Sequence, residues 1–180
     1  MMSSTISDEL DLLFREQDSV IARDLKVNLK RSLQSGALAP EEAHFALLAA
    51  ASALDLRPFA AYAVEALARF GVPAEQIREA AESAAIMGML NVYYRFKHMT
   101  EHGEDYRSAG LRMTVFSNPA LGKTRFEMLA FAVSVLNGCE SCIRSHERVL
   151  REAGASVDKI HELVRIAAIV KGVDALRARS

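Results

Sequence analysis

Two cysteines and a histidine stand at a spacing suited to redox chemistry. The chain reads Cys139-Glu140-Ser141-Cys142, with His146 four residues further on and Glu127 upstream. Three residues apart on a helix, Cys139 and Cys142 share a face and come close enough for a reversible disulfide. Four residues on, His146 sits one turn beyond Cys142. Its imidazole can act as a base toward Cys142 or pair with its thiolate. Asn137-Gly138 reads as the break before this helix, which puts Cys139 in the first turn. Unpaired backbone N–H groups and the positive helix end favour a thiolate there. Glu127 lies in the preceding helix and reaches the same face if the break turns the chain. It would then orient His146 or relay a proton to it, directly or through water.

These residue types support plainer readings as well. Cys139 and Cys142 could be small buried apolar residues, and His146 an ordinary surface histidine. Cys139, Cys142, His146 and Glu127 also make a four-ligand set for zinc. Structural zinc usually draws a second Cys/His pair from elsewhere, whereas here there is no third cysteine and His44, His98, His102 and His161 are scattered. Ser52, Ser134 and Ser145 have no Ser-His-Asp arrangement around them, and no glycine-rich nucleotide loop is present. Tyr93, Tyr94 and Phe96 read as core or subunit contact, Met87 and Met89 as packing, and Lys26–Arg31 as a solvated face.

Composition narrows the setting. A chain of 180 residues, 51% hydrophobic and 25% charged, fits one compact domain or two half-domains sharing a core. Twenty-two basic against 23 acidic residues, a net charge of -1, give no electrostatic case for nucleic acid or an anionic membrane. Two cysteines cannot form the framework of a disulfide-rich secreted domain, and a bridge across two residues closes almost no loop. The N-terminal stretch is acidic, with no basic segment leading into an apolar core, so no Sec-type signal is expected. Phe45–Leu54 is too short to span a bilayer. A cytoplasmic protein is the expectation.

Helical spacing dominates the elements that must position the site. Helices are predicted over Asp8–Ser19 after a Ser7 cap, Ile21–Ser35, Pro40–Leu54, Phe59–Phe70 and Ala74–Tyr94. His98–Gly110 follows as a connection and Leu111–Phe116 as a short piece of unassigned type. Thr124–Leu136, Cys139–Ala153 and Val157–Leu176 complete the set. Gly88 suggests a close helix crossing. The second half repeats the order of the first. A shift of 83 places Gly71 on Gly154, Ile77 on Ile160, Glu79 on Glu162 and Ala84-Ala85-Ile86 on Ala167-Ala168-Ile169. The same shift puts Leu56, Phe59 and Ala63 on Cys139, Cys142 and His146. A divergent duplication is expected, with one copy retaining the reactive groups. Its halves would be a degenerate 37–97 and a redox-active 119–177 within a single domain, 1–180.

The chain resembles the alkyl hydroperoxide reductase AhpD proteins of the carboxymuconolactone decarboxylase-like superfamily. The resemblance is carried by Asp24–Leu29, Ala84–Arg95, Leu111-Arg112-Met113, Asn118-Pro119, Phe126-Glu127, Phe131–Ser134, Asn137-Gly138-Cys139 and Ala167–Val170. It implies an all-α, internally duplicated fold assembled as a homotrimer. It also implies a thiol peroxidase that reduces organic hydroperoxides and is coupled to the peroxiredoxin AhpC. The reductant would be dihydrolipoamide, a lipoyl group carried on a 2-oxoacid dehydrogenase component, with no tightly bound cofactor or metal. By motif position, Cys142 would attack peroxide and pass through sulfenic acid. Cys139 would be proton donor and resolving thiol, and His146 and Glu127 the proton relay. Many relatives carry a histidine where this chain has Ser141, which does not titrate near neutral pH. Two other readings remain: a decarboxylase-like enzyme acting on a ring-opened lactone, and a non-catalytic helical adaptor.

Overall fold

A computed structural model describes residues 6–15 and 18–177. They form eight α-helices and no strand: α1 (Ile6–Leu13), α2 (Val20–Ser35), α3 (Pro40–Ala53), α4 (Arg57–Arg69), α5 (Ala74–Met99), α6 (Lys123–Asn137), α7 (Glu140–Glu152) and α8 (Val157–Arg177). None of the described helices is long and apolar enough to cross a membrane.

Local chemistry accounts for most helix ends. Ser19 Oγ accepts the Ala22 N–H at 3.0 Å and opens α2. Pro40 takes the first position of α3, with Glu41 and Glu42 in its first turn, and Ala39 N–H donates to Glu42 Oε2 at 2.9 Å. Gly71, Gly138 and Gly154 adopt positive φ just past α4, α6 and α7. Three expectations need correction. The first helix begins at Ile6, so Ser7 lies inside it, and it ends at Leu13 rather than reaching Ser19, because Ser19 caps the next one; residues 16 and 17 of that expectation lie outside the described chain. Helix α5 runs on to Met99, five residues past Tyr94. Among the described residues, nothing beyond α5's own backbone comes within 4 Å of where a Cβ at Gly88 would lie, so no close crossing is seen there.

Helices α3 and α6 form the centre. From Ala43 to Ala51 every α3 residue is buried, and so is every α6 residue from Met128 to Ser134. The two pack on each other; α4, α5 and α8 surround α3, while α5, α7 and α8 surround α6. An offset of 83 carries the starts of α3, α4 and α5 (Pro40, Arg57, Ala74) onto those of α6, α7 and α8 (Lys123, Glu140, Val157). Turn bonds follow the same offset. Leu56 N–H donates to Ala51 O at 2.9 Å, and Cys139 N–H to Ser134 O at 3.1 Å. The residue before each donor is left-handed, Asp55 at φ 51° and Gly138 at φ 62°. This is an all-α fold with internal pseudo-symmetry.

His44 belongs to the core of the first half. Its Nδ1 donates to Pro40 O at 2.6 Å, and its Nε2 lies 3.4 Å from the Tyr62 hydroxyl. Burial pushes its pKa below the ordinary 6.5; the Pro40 carbonyl works the other way, and nearby Arg69 adds to the depression. The folded protein therefore holds a neutral imidazole where the unfolded chain takes up a proton. That contribution to stability is complete above pH 6.5 and is lost as the pH falls toward the lower folded value. Urea unfolding of the wild type should show a midpoint that drops as the pH is lowered below 6.5. His44→Gln should flatten this dependence, and an unchanged slope would exclude His44 as its source.

Candidate active site

The site is built where α6 turns into α7. Helix α6 ends on left-handed Gly138, and the bond from Cys139 N–H to Ser134 O reverses the chain. Cys139 thus becomes the N-cap of α7 rather than a first-turn residue, and its carbonyl accepts the Ile143 N–H at 2.9 Å. Cys142 follows in the first turn of the helix. The two are joined as a disulfide across a Cα–Cα distance of 5.3 Å. Cys139 is wholly buried and Cys142 is 6% exposed. Ser141 Oγ lies 3.6 Å from Cys139 Sγ.

The turn also brings α6 alongside α7, so Glu127 and His146 meet although nineteen residues apart. His146 Nδ1 donates to Glu127 Oε2 at 2.6 Å, and both side chains are largely shielded. With Nδ1 committed to the carboxylate, the neutral ring carries its lone pair on Nε2. Cys142, His146, Glu127 and Ser141 line one cavity of about 620 Å³. Cys139 is not among its lining residues.

Most of the remaining wall is apolar. Met87, Leu90 and Tyr94 come from one face of α5, Val149 from α7, and Met113 and Phe116 from the segment between α5 and α6. In that segment Thr114–Ser117 form a 3-10 turn, which resolves the unassigned Leu111–Phe116 piece. From the sequence, Met87 and Tyr94 read as packing or contact, and Leu90, Met113, Phe116 and Val149 carry no mark as site residues. The i, i+3, i+7 spacing of Met87, Leu90 and Tyr94 was the available signal for the α5 wall. Among the described residues no group of three or more His, Cys, Asp and Glu is placed to hold a metal ion.

Known proteins resemble this chain over most of its length. The carboxymuconolactone decarboxylase family matches residues 107–179, which include all four candidate site residues. An alkyl hydroperoxide reductase AhpD of Anaeromyxobacter sp. strain K is 46% identical over 151 residues, covering 83% of this chain and 80% of that protein. AhpD proteins of Nocardia farcinica and Streptomyces coelicolor are 44% identical over 156 residues and 39% over 153. They cover 84% of this chain in both cases, and 84% and 85% of their own lengths. The chain belongs to the alkyl hydroperoxide reductase AhpD family of antioxidant oxidoreductases, with Cys139 and Cys142 as its redox-active pair.

Proposed function

We propose that the protein is a lipoyl-dependent peroxidase that reduces organic hydroperoxides and passes electrons to the peroxiredoxin AhpC. One observation carries the reading: of the paired sulfurs only that of Cys142 belongs to a cavity-lining residue, and it shares the cavity with the Glu127–His146 pair. Cys142 is the nucleophile. Its thiolate attacks the distal peroxide oxygen; an S–O bond forms, the O–O bond breaks, and Cys142 becomes a sulfenic acid. The departing alkoxide takes a proton through His146, which Glu127 holds in one tautomer, and leaves as the alcohol. Cys139 then resolves the sulfenic acid, forming the disulfide and releasing water.

Reduction uses the same asymmetry. A dihydrolipoamide thiolate attacks the accessible Cys142 sulfur, and Cys139 departs as a thiolate at the positive N-terminus of α7. The second lipoyl thiol closes the lipoyl disulfide and frees Cys142. The apolar wall of Met87, Leu90, Tyr94, Met113, Phe116 and Val149 suits an alkyl peroxide or a lipoyl arm better than hydrogen peroxide. The physiological setting would be the cytoplasm, where thiols are kept reduced, with a lipoylated 2-oxoacid dehydrogenase component as electron source. In this reading 37–97 is the degenerate half of the domain and 119–177 the redox-active half. Homotrimeric assembly would cover apolar side chains that α5 exposes, Val92 at 60%, Phe96 at 46% and Met99 at 77%. Sedimentation equilibrium should return three times the chain mass, and a monomer at micromolar concentration would exclude the trimer.

Stopped-flow turnover with dihydrolipoamide and an alkyl hydroperoxide tests the chemistry. Cys142→Ser should abolish turnover, whereas Cys139→Ser should accumulate a sulfenic acid on Cys142 that dimedone traps. Absence of thiol-dependent turnover, or a Cys142→Ser protein as active as wild type, would refute the reading. For the relay, His146→Asn should slow thiol oxidation by about 10²-fold and Glu127→Gln by about tenfold. Equal rates in wild type and both variants would remove the pair from the mechanism.

A further inference from the structure

Behind the redox turn, buried polar side chains tie α5 to the end of α6. Asn91, wholly buried, donates through Nδ2 to Ser134 Oγ at 3.0 Å and accepts at Oδ1 from Asn137 Nδ2 at 2.9 Å. Ser134 is itself wholly buried, and its carbonyl takes the Cys139 N–H. Asn137 stands two residues before Cys139. Placing such groups in a core is unfavourable unless each is paired, and apolar side chains of the same shape would often serve stability as well.

The other half of the fold provides an internal comparison. At the offset of 83, Ser134 and Asn137 correspond to Ala51 and Leu54. Asn91 corresponds to Asp174, which instead pairs with Lys171 at 2.8 Å. Yet the turn there closes with the same backbone bond, from Leu56 N–H to Ala51 O at 2.9 Å. The turn therefore forms without the amides. An arginine on a turn carbonyl occurs in both halves: Arg95 Nη1 donates to Asn137 O and Arg177 Nη1 to Asp55 O, each at 3.0 Å. The Asn91–Ser134–Asn137 bracket occurs at the thiol-bearing turn and has no counterpart at the other.

The residue that follows each turn explains the difference. Leu56 anchors itself by burying a large apolar side chain, and Leu54 packs against the same core. Cys139 brings a smaller side chain and must change partners. Once the disulfide opens, its covalent link to Cys142 is gone. The bracket fixes residues 134 and 137 to α5 through bonds that do not depend on the state of the sulfur.

We propose that Asn91, with Ser134 and Asn137, is a positioning device that holds Cys139 beside Cys142 in the open state and so speeds disulfide closure. The proposal rests on the reading of Cys142 as the oxidised thiol. In the step concerned, the Cys139 sulfur attacks the sulfenic sulfur of Cys142. The S–S bond forms, the S–O bond breaks, and hydroxide leaves with the Cys139 proton as water. Fixing the attacking sulfur raises its effective concentration at its target.

The test combines Asn91→Leu, Ser134→Ala and Asn137→Leu in one full-length protein, which removes the bracket without leaving an unpaired partner. Reduced protein is mixed with one equivalent of cumene hydroperoxide, and sulfenic acid is trapped with dimedone at successive times. Oxidation of Cys142 should stay within about twofold of wild type while closure slows about tenfold, so that trapped adduct accumulates. A purely structural role would lower thermal stability without separating the two steps. Closure within twofold of wild type would overturn the proposal. If the triple variant does not fold, Ser134→Ala alone should slow closure about threefold, and unchanged closure there would overturn it equally. Cys139→Ser is the control on the underlying reading: if it yields no adduct, the peroxidase reading and this inference fail together.

Discussion

Everything at the site depends on one backbone hydrogen bond, from Cys139 N–H to Ser134 O. It is the six-to-one bond of a helix stop, and it requires the intervening Gly138 to be left-handed. The bond ends α6 and aims α7 back along it. That reversal makes Cys139 an N-cap and buries it. It also puts Cys142 at the cavity wall and brings His146 within 2.6 Å of Glu127. The turn thus sets the geometry in which the site residues meet.

The two central helices are held at their starts by reciprocal contacts between the halves. Glu79 of α5 accepts the N–H groups of Ala120 and Leu121, at 2.9 and 2.7 Å, just ahead of α6. Its counterpart Glu162 of α8 takes the N–H of Ala37, just ahead of α3. Burial works to raise the Glu162 pKa, but bonds from Ser32, Arg165 and Ala37 outweigh it and leave the carboxyl below its usual range. Glycine suits position 36 beside it, since a Cβ there would lie 2.8 Å from both the Ser32 carbonyl oxygen and Glu162 Cδ. Lys159 to Glu42 and Arg125 to Gln76 repeat the pattern at the next positions. Each half thus clamps the start of the other's central helix. This is why α3 and α6 lie against each other with a fixed relation between their ends.

Much of this was legible in the residues. Glycines 71, 138 and 154 announced helix stops because nothing else adopts φ > 0 so readily, and the offset of 83 emerged from short identities such as Ala84-Ala85-Ile86. The meeting of Glu127 with His146 followed from helix spacing once the Asn137-Gly138 break was granted. Other features depend on tertiary contact and left no local mark. Helix α5 outran its expected end because no residue before Thr100 breaks the pattern. The cavity wall at Met113 and Phe116 comes from a segment whose only regular elements are two short 3-10 turns. Asn91 finds Ser134 across 43 residues, a pairing that no periodicity encodes.

The two halves show how one scaffold supports reactivity at one end only. Phe59 occupies the position of Cys142, and Phe14, just after α1, packs edge-on against it with centroids 5.4 Å apart. Ala63 stands where His146 would be, and His44 where Glu127 would be. His44 is kept neutral by burial and turned toward Pro40 and Tyr62. Here the apolar face is covered by the chain's own N-terminal segment. On the other face the segment between α5 and α6 supplies only part of the wall, and space remains around Cys142. A buried thiol next to a rigid apolar partner is inert, whereas a thiol at a cavity wall beside an oriented imidazole is not. The difference in chemistry therefore follows from which residues sit on each turn.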